Sequence, residues 1–181
     1  MRMEFRKYQG TGNDFVMIDN LNGAFNNLSD EDITFICDRK MGIGADGLIK
    51  LSSKEGYDFE IEYYNSDGSQ SFCGNGARCA VAFAKELGVI ENETRFLAID
   101  GEHKASYIDG QVRLEMLPVQ KVEEIGDDFF LDTGSPHYVH FSEDIVIDIL
   151  DYGKSIRYSE RYKAKGVNVN VVLQEVDNSI S

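Results

Sequence analysis

The stretch that most constrains this fold is Phe72-Cys73-Gly74-Asn75-Gly76-Ala77-Arg78-Cys79, with the apolar run Ala80 to Ala84 behind it. Ala77 through Leu87 reads as a helix with apolar residues on nearly every face, closed by Gly88. A helix of that kind has to be wrapped by other chain. An alternating strand, Tyr57 to Asn65, and a turn, Asn65-Ser66-Asp67-Gly68-Ser69, lead into it. Cys73 therefore stands where a polar turn feeds the start of a buried helix, among free N–H groups and at the positive end of the dipole. The expectation is a thiol that ionises readily, its pKa drawn from roughly 8.5 towards neutrality.

The rest of the chain supplies mostly strands. Met3 to Gln9 and Asp14 to Asn20 are strand-like, split by the turn Gly10-Thr11-Gly12-Asn13. Ser29-Asp30-Glu31-Asp32 has the capping-box form and opens a short helix through Ile33, Phe35 and Ile36. A glycine-rich loop, Met41 to Gly47, runs into the strand Leu48 to Leu51. After the central helix come Arg95 to Ile99, His103 to Ile108 and Gln111 to Met116, separated by the hairpin signals Asp100-Gly101 and Asp109-Gly110.

Pro118 marks a boundary, and the pattern partly begins again beyond it. Strands are predicted near Phe129 to Thr133, Tyr138 to Phe141 and Val167 to Val176, with a helix capped by Ser142 from Glu143 to about Tyr152. Many short strands around one buried helix predict an α+β fold, a curved and mostly antiparallel sheet wrapped around that helix. The domains expected are residues 1–117 and residues 118–181. The second reads as an incomplete copy of the first, without an apolar helix and with its sheet edge open, as though the chain had been cut.

A net charge of −14 and scattered Lys and Arg exclude a phosphate-backbone partner, so no nucleic acid is expected. No apolar stretch approaches the ~20 residues of a membrane span, and the N-terminus has no signal-peptide core. The three cysteines are unevenly spaced and are not a disulfide framework, which makes a reducing cytoplasm the simplest home.

Cys73 and Cys79 fall about 120° apart around one helix, so they cannot face each other across a ligand. No C-x-x-C or neighbouring His completes a zinc site, and no metal is expected. Cys37 and Cys79 lie within apolar helical patterns and read as small core residues. The Gly42 to Gly47 loop lacks the Lys-Ser/Thr of a phosphate loop and reads as a tight turn. Gly74-Asn75-Gly76 opens a helix and can present N–H groups to an anion, a carboxylate in preference to a phosphate. Asn13, Asn65, Asn75 and Asn168 are singly turn-formers, yet together they suit a polar zwitterion. His137, after Gly134-Ser135-Pro136, becomes an acid–base helper only beside a thiol.

Six blocks together resemble the diaminopimelate epimerases: Gly10 to Phe15, Gly42 to Gly47, Tyr64 to Ser69, Phe72 to Cys79, Gly134 to His137 and Gly166 to Asn170. The resemblance implies cofactor-independent interconversion of LL- and meso-diaminopimelate, on the route to lysine and peptidoglycan. It implies two similar domains, each a curved sheet around a helix, with the site in the cleft between them. In such enzymes one cysteine, as thiolate, removes the α-proton and another, as thiol, delivers a proton to the opposite face. Cys73 matches the first-domain cysteine. Asn13, Asn65, Gly74, Asn75 and Asn168 match positions that hold the substrate's amino and carboxylate groups, and His137 matches a residue that tunes the cysteines. Ser135 stands where many members have Asn, and its hydroxyl can still hydrogen-bond. Gly47 stands where some carry Gln, so that contact does not carry over. The family's later Glu-Arg pair and Cys-Gly-Thr-Gly block are absent, leaving one of two acid–base cysteines. The partner implied is a small-molecule substrate, with a homodimer an allowed assembly.

Two other readings stand beside this one. One is another isomerase of the same architecture, acting on proline, hydroxyproline or a phenazine precursor. The other is that the 181 residues alone form a non-catalytic fragment.

Overall fold

A computed structural model describes residues 3–142 and 148–173 and divides the chain into two compact units, Met1–Met116 and Leu117–Ser181. In the first unit seven strands form one sheet in chain order: β1 (Arg6–Gly10), β2 (Asn13–Asn20), β3 (Gly47–Ser52), β4 (Phe59–Asn65), β5 (Glu93–Ala98), β6 (Gly101–Ile108) and β7 (Gln111–Glu115). The β2–β3 and β4–β5 pairs are parallel and the rest antiparallel. Parallel neighbours need a crossover. Helix α1 (Asp30–Cys37) lies in the first and α2 (Gly74–Glu86) in the second.

The two helices cover opposite faces of β2 and β3. Phe15, Met17, Ile49 and Leu51 pack with Ala77, Ala80, Val81 and Ala84 of α2, while Val16, Ile18 and Leu48 pack with Ile33 and Ile36 of α1. Covered on both sides, β2 is apolar without alternation from Phe15 to Ile18. Strands β1 to β4, β6 and β7 all touch α2. The sheet thus curls around that helix, as the curved-sheet reading requires. It begins at Gly74, three residues before the expected Ala77, because Cys73 is its N-cap. It ends in a Schellman motif, with Val89 N–H bonded to Ala84 O and Gly88 N–H to Lys85 O.

Local signals elsewhere in this unit act as expected. Ser29 and Asp32 make a reciprocal capping box at α1. Asp109 and Gly110 fill a two-residue hairpin loop with φ of 53° and 78°. The other hairpin is shifted by one residue: Ala98 pairs with Gly101, so the loop is Ile99-Asp100. Lys50, only 2% exposed, shares the α1 face of β3 and is neutralised by Glu62 at 2.8 Å. Ser52, Tyr64 and Asn20 extend that polar network, and Asn26 joins it from the surface.

In the second unit β8 (Val122–Ile125), β9 (Asp128–Asp132), β10 (Pro136–Ser142) and β11 (Asn168–Leu173) form a sheet of order β11-β10-β9-β8. Strands β10 and β11 are parallel. Tyr138, Tyr162 and Val167 are its small core. The edge strand β8 is an addition to the expected elements. The helix expected from Glu143 needs correction: α3 runs Ile149–Arg157 and its cap is Asp148, whose carboxylate accepts the N–H groups of Leu150 and Asp151. Ser142 instead pairs with Leu173 as the end of β10. Residues 143–147 and 174–176, which the expected helix and last strand included, lie outside the described residues. Among the described residues no helix is long and apolar enough to cross a membrane.

Candidate active site

Cys73 is half-buried at the opening of α2, and two oppositely directed contacts hold its sulfur. The Gly76 N–H donates to Sγ at 3.4 Å, and the thiol donates to Asn13 Oδ1 at 3.7 Å. The preceding residue is locked from behind, Phe72 stacking on the buried His103 with ring centroids 4.4 Å apart.

The orientation of Asn13 follows from its other end. Asn13 Nδ2 lies 2.8 Å from Asp46 Oδ2, and a carboxylate can only accept. The amide oxygen is thereby turned to the sulfur. Asp46 is fixed in turn by the Asp14 N–H and by Arg39, which bridges it to Asp14. Arg39, with Lys7 beside it, holds the Asp14 carboxyl well below the usual carboxylate range.

The readily ionised thiol anticipated for Cys73 is not what this geometry produces. Burial pushes the Cys73 thiol up from its ordinary value. The N–H groups of Gly76 and Asn75 and the Arg78 guanidinium pull the other way without offsetting it. An acceptor oxygen from Asn13 also favours the protonated form. Cys73 rests as a thiol. Cys37 and Cys79 are buried, each pushed up by burial to about 11, as inert core thiols should be.

The first-turn amides of Gly74 and Asn75 have no carbonyl earlier in the helix to accept them. The Asn75 side chain is anchored at one end only: Oδ1 accepts from Thr11 Oγ1 at 3.1 Å and from Arg78 Nη2. Among the described residues nothing accepts from its Nδ2, which leaves that end an available donor. Asn65 is more committed. Its Nδ2 faces Ser69 O and Oγ at 3.1 Å and Ser71 Oγ at 3.2 Å, and its Oδ1 accepts from Tyr63 Oη at 2.8 Å. The Tyr63 ring also fills the space over Gly47, where an added Cβ would stand 2.5 Å from both Tyr63 Cε2 and the Tyr64 carbonyl. A larger side chain at position 47 is excluded.

In the second unit His137, Ser135 and Asn168 meet. Ser135 Oγ lies 3.2 Å from His137 Nε2, with a long 3.5 Å contact from Asn168 Nδ2. A fourth residue, Asn170, orients the ring: its Nδ2 lies 3.1 Å from His137 Nδ1. The same nitrogen faces the carbonyls of Tyr138 and Asn168, so it is the donor and Nδ1 the acceptor. The proton then sits on Nε2, directed at Ser135. Among the described residues no cluster of three or more His, Cys, Asp or Glu gathers as a metal site.

The family model for diaminopimelate epimerase matches residues 5–122, which contain Cys73 and its whole setting in the first unit. The chain belongs to the diaminopimelate epimerase family. It is 49% identical over 175 residues to the diaminopimelate epimerase of Flavobacterium psychrophilum, a match spanning 95% of this chain and 68% of the relative. The corresponding enzyme of Aquifex aeolicus is 39% identical, over 98% of this chain and 71% of the relative. Among solved structures, a PhzF-family phenazine biosynthesis protein of Bacillus anthracis superposes with a TM-score of 0.70 at 12% identity, over 97% of this chain and 68% of that one. A hydroxyproline epimerase of Agrobacterium vitis gives 0.67 at 13% identity, over 98% and 68%. These distant likenesses establish the fold, mixed α+β with a curled sheet.

Sequence reasoning singled out Cys73, Asn13 and Asn75, and the first unit gathers them. Their holders are Asp46 for Asn13 and Thr11 and Arg78 for Asn75, while Tyr63 holds Asn65. Thr11, Asp46 and Arg78 lie inside the family-like blocks, and a β-branched residue within Gly-Thr-Gly is the local sign of a special backbone position.

Proposed function

We propose that this protein epimerises diaminopimelate at its α-carbon without a cofactor, with Cys73 as one of two proton-transfer groups, serving lysine and peptidoglycan synthesis in the cytoplasm. The observation that carries this reading is the Cys73 thiol held between Asn13 Oδ1 and the Gly76 N–H at the mouth of a buried helix. Family membership supplies the substrate.

An amino-acid α-proton is a very weak acid, and the carbanion left by its removal spreads onto the carboxylate. Preorganised donors aimed at that carboxylate lower the barrier. The amides of Gly74 and Asn75 and the Asn75 Nδ2 take that role. Asn13 and Asn65 hold the amino group through amide oxygens, which accept from an ammonium without adding a competing acid. Resting as a thiol, Cys73 delivers a proton in one direction and, once ionised, removes it in the other. Its mate is neither Cys37 nor Cys79, both buried core thiols. In the second unit, read as the start of a second pseudo-symmetric domain, His137 tunes a cysteine while Ser135 and Asn168 hold polar groups of the substrate.

The test is deuterium incorporation at the α-carbon of LL-diaminopimelate in heavy water by the active enzyme. Exchange is expected and is lost in Cys73→Ala. Exchange unchanged in that variant removes Cys73 from the chemistry.

A further inference from the structure

The β1–β2 turn contains an unusual residue. Gly10 pairs with Asn13, so Thr11 and Gly12 are the two-residue loop, with φ of 52° and 83°. Glycine accepts such a conformation freely, whereas a β-branched residue there is a strained outlier. Asp109 is the other described non-glycine residue with positive φ, and it belongs to a type, Asp, that visits this region readily. Nothing in the hairpin itself calls for threonine.

What the conformation achieves is a long-range contact. Thr11 Oγ1 reaches Asn75 Oδ1 at 3.1 Å, sixty-four residues away in sequence. The turn also lies directly on that residue, since a Cβ added at Gly10 would stand 3.3 Å from the Asn75 carbonyl. With Arg78 as second donor, the oxygen end of the Asn75 amide is occupied, and among the described residues its nitrogen end has no acceptor.

We propose that Thr11 is a positioning residue: its strained backbone places a hydroxyl on Asn75 Oδ1 and so presents Asn75 Nδ2 to the substrate carboxylate. This rests on the reading of Asn75 as a carboxylate donor given above. Strained residues persist where the surrounding structure over-determines them, and they cluster at working sites. Here the strain sits in the turn while its benefit falls on the helix.

Three variants of the active enzyme separate this role from a structural one. Thr11→Gly removes both strain and hydroxyl, Thr11→Val removes the hydroxyl and keeps the strain, and Thr11→Ser keeps the hydroxyl. The expected result is a fall in kcat/KM for diaminopimelate of about three- to tenfold in both the Gly and the Val variants, the worth of one neutral hydrogen bond. The Ser variant recovers most of that loss. Melting temperature should order them differently, with Thr11→Gly at or above the parent and Thr11→Val below it. In an Asn75→Ala background, Thr11→Val should add no further loss. Parental kcat/KM in Thr11→Gly, or losses that follow melting temperature across the set, overturns the proposal. A parent enzyme without α-deuterium exchange refutes the functional reading itself, and this inference falls with it.

Discussion

Asp46 Oδ2 lies 2.8 Å from Asn13 Nδ2, and this contact decides that an oxygen, not an N–H, meets the sulfur of Cys73. Burial does most to keep the thiol protonated, and a carboxylate that never touches it adds to that through Asn13. Asp46 also disfavours a thiolate through its own charge.

Asp46→Asn should therefore make Cys73 easier to ionise. The amide side chain no longer dictates the orientation of Asn13, which can turn an N–H to the sulfur, and a nearby negative charge is lost. Burial holds the parent Cys73 above the ordinary thiol value, so its thiolate forms only at higher pH. The pH midpoint of iodoacetamide alkylation, followed at Cys73 by mass spectrometry, should fall in the variant. Cys37 and Cys79 are buried and also raised by burial, and mass spectrometry separates their alkylation from that of Cys73. An unchanged or higher midpoint contradicts the orientation argument.

Gly47→Ala is expected to cost about 1–3 kcal/mol of stability in chemical denaturation, as overpacking does. Its Cβ would meet the Tyr64 carbonyl at 2.5 Å, and backbone cannot swing aside as a side chain can. Measured by a double-mutant cycle in a Tyr63→Ala background, the cost of Gly47→Ala should shrink only in part. Its complete disappearance there would place the conflict on the Tyr63 ring alone.

The buried Lys50–Glu62 pair makes the third test. Burial raises the Glu62 carboxyl, yet bonds from Lys50 and Ser52 outweigh it and leave the group lowered overall. Glu62→Ala strands a nearly inaccessible ammonium and should cost about 3–5 kcal/mol. The double variant Lys50→Met with Glu62→Leu should lose clearly less than Glu62→Ala, since no charge is left unpaired, although the Ser52 and Tyr64 hydroxyls lose an acceptor. Equal losses in both would mean that packing volume, not the uncompensated charge, governs this position.

The features that were legible from residues alone are those decided within a few positions. Ser29 and Asp32 cap each other, Gly88 closes α2, and Asp109-Gly110 turns a hairpin, because each needs only its near neighbours. The apolar circumference of residues 77–87 likewise announced a helix wrapped by sheet. The position of α3 was missed because Ser142 and Asp148 are both good caps, and pairing of Ser142 with Leu173, thirty-one residues on, settles the choice. The Cys73 proton affinity was misjudged for a related reason. Helix-start amides can be read from the order of residues, whereas the desolvation that outweighs them exists only once the sheet has closed. Asp46 and Thr11 act on Asn13 and Asn75 across distances that no local pattern encodes.

The glycine-rich loop after α1 has one further consequence. Its amides at Ile43, Gly44 and Ala45 bond the final carbonyls of that helix at Ile36 and Cys37, and the next residue is Asp46. The segment acts as a ruler between a helix terminus and the group that aims Asn13. One amino acid inserted there would dislodge Asp46, whereas the same insertion at the Asp109-Gly110 tip should pass unnoticed. Changes in length should be tolerated at that exposed hairpin tip and not in this loop.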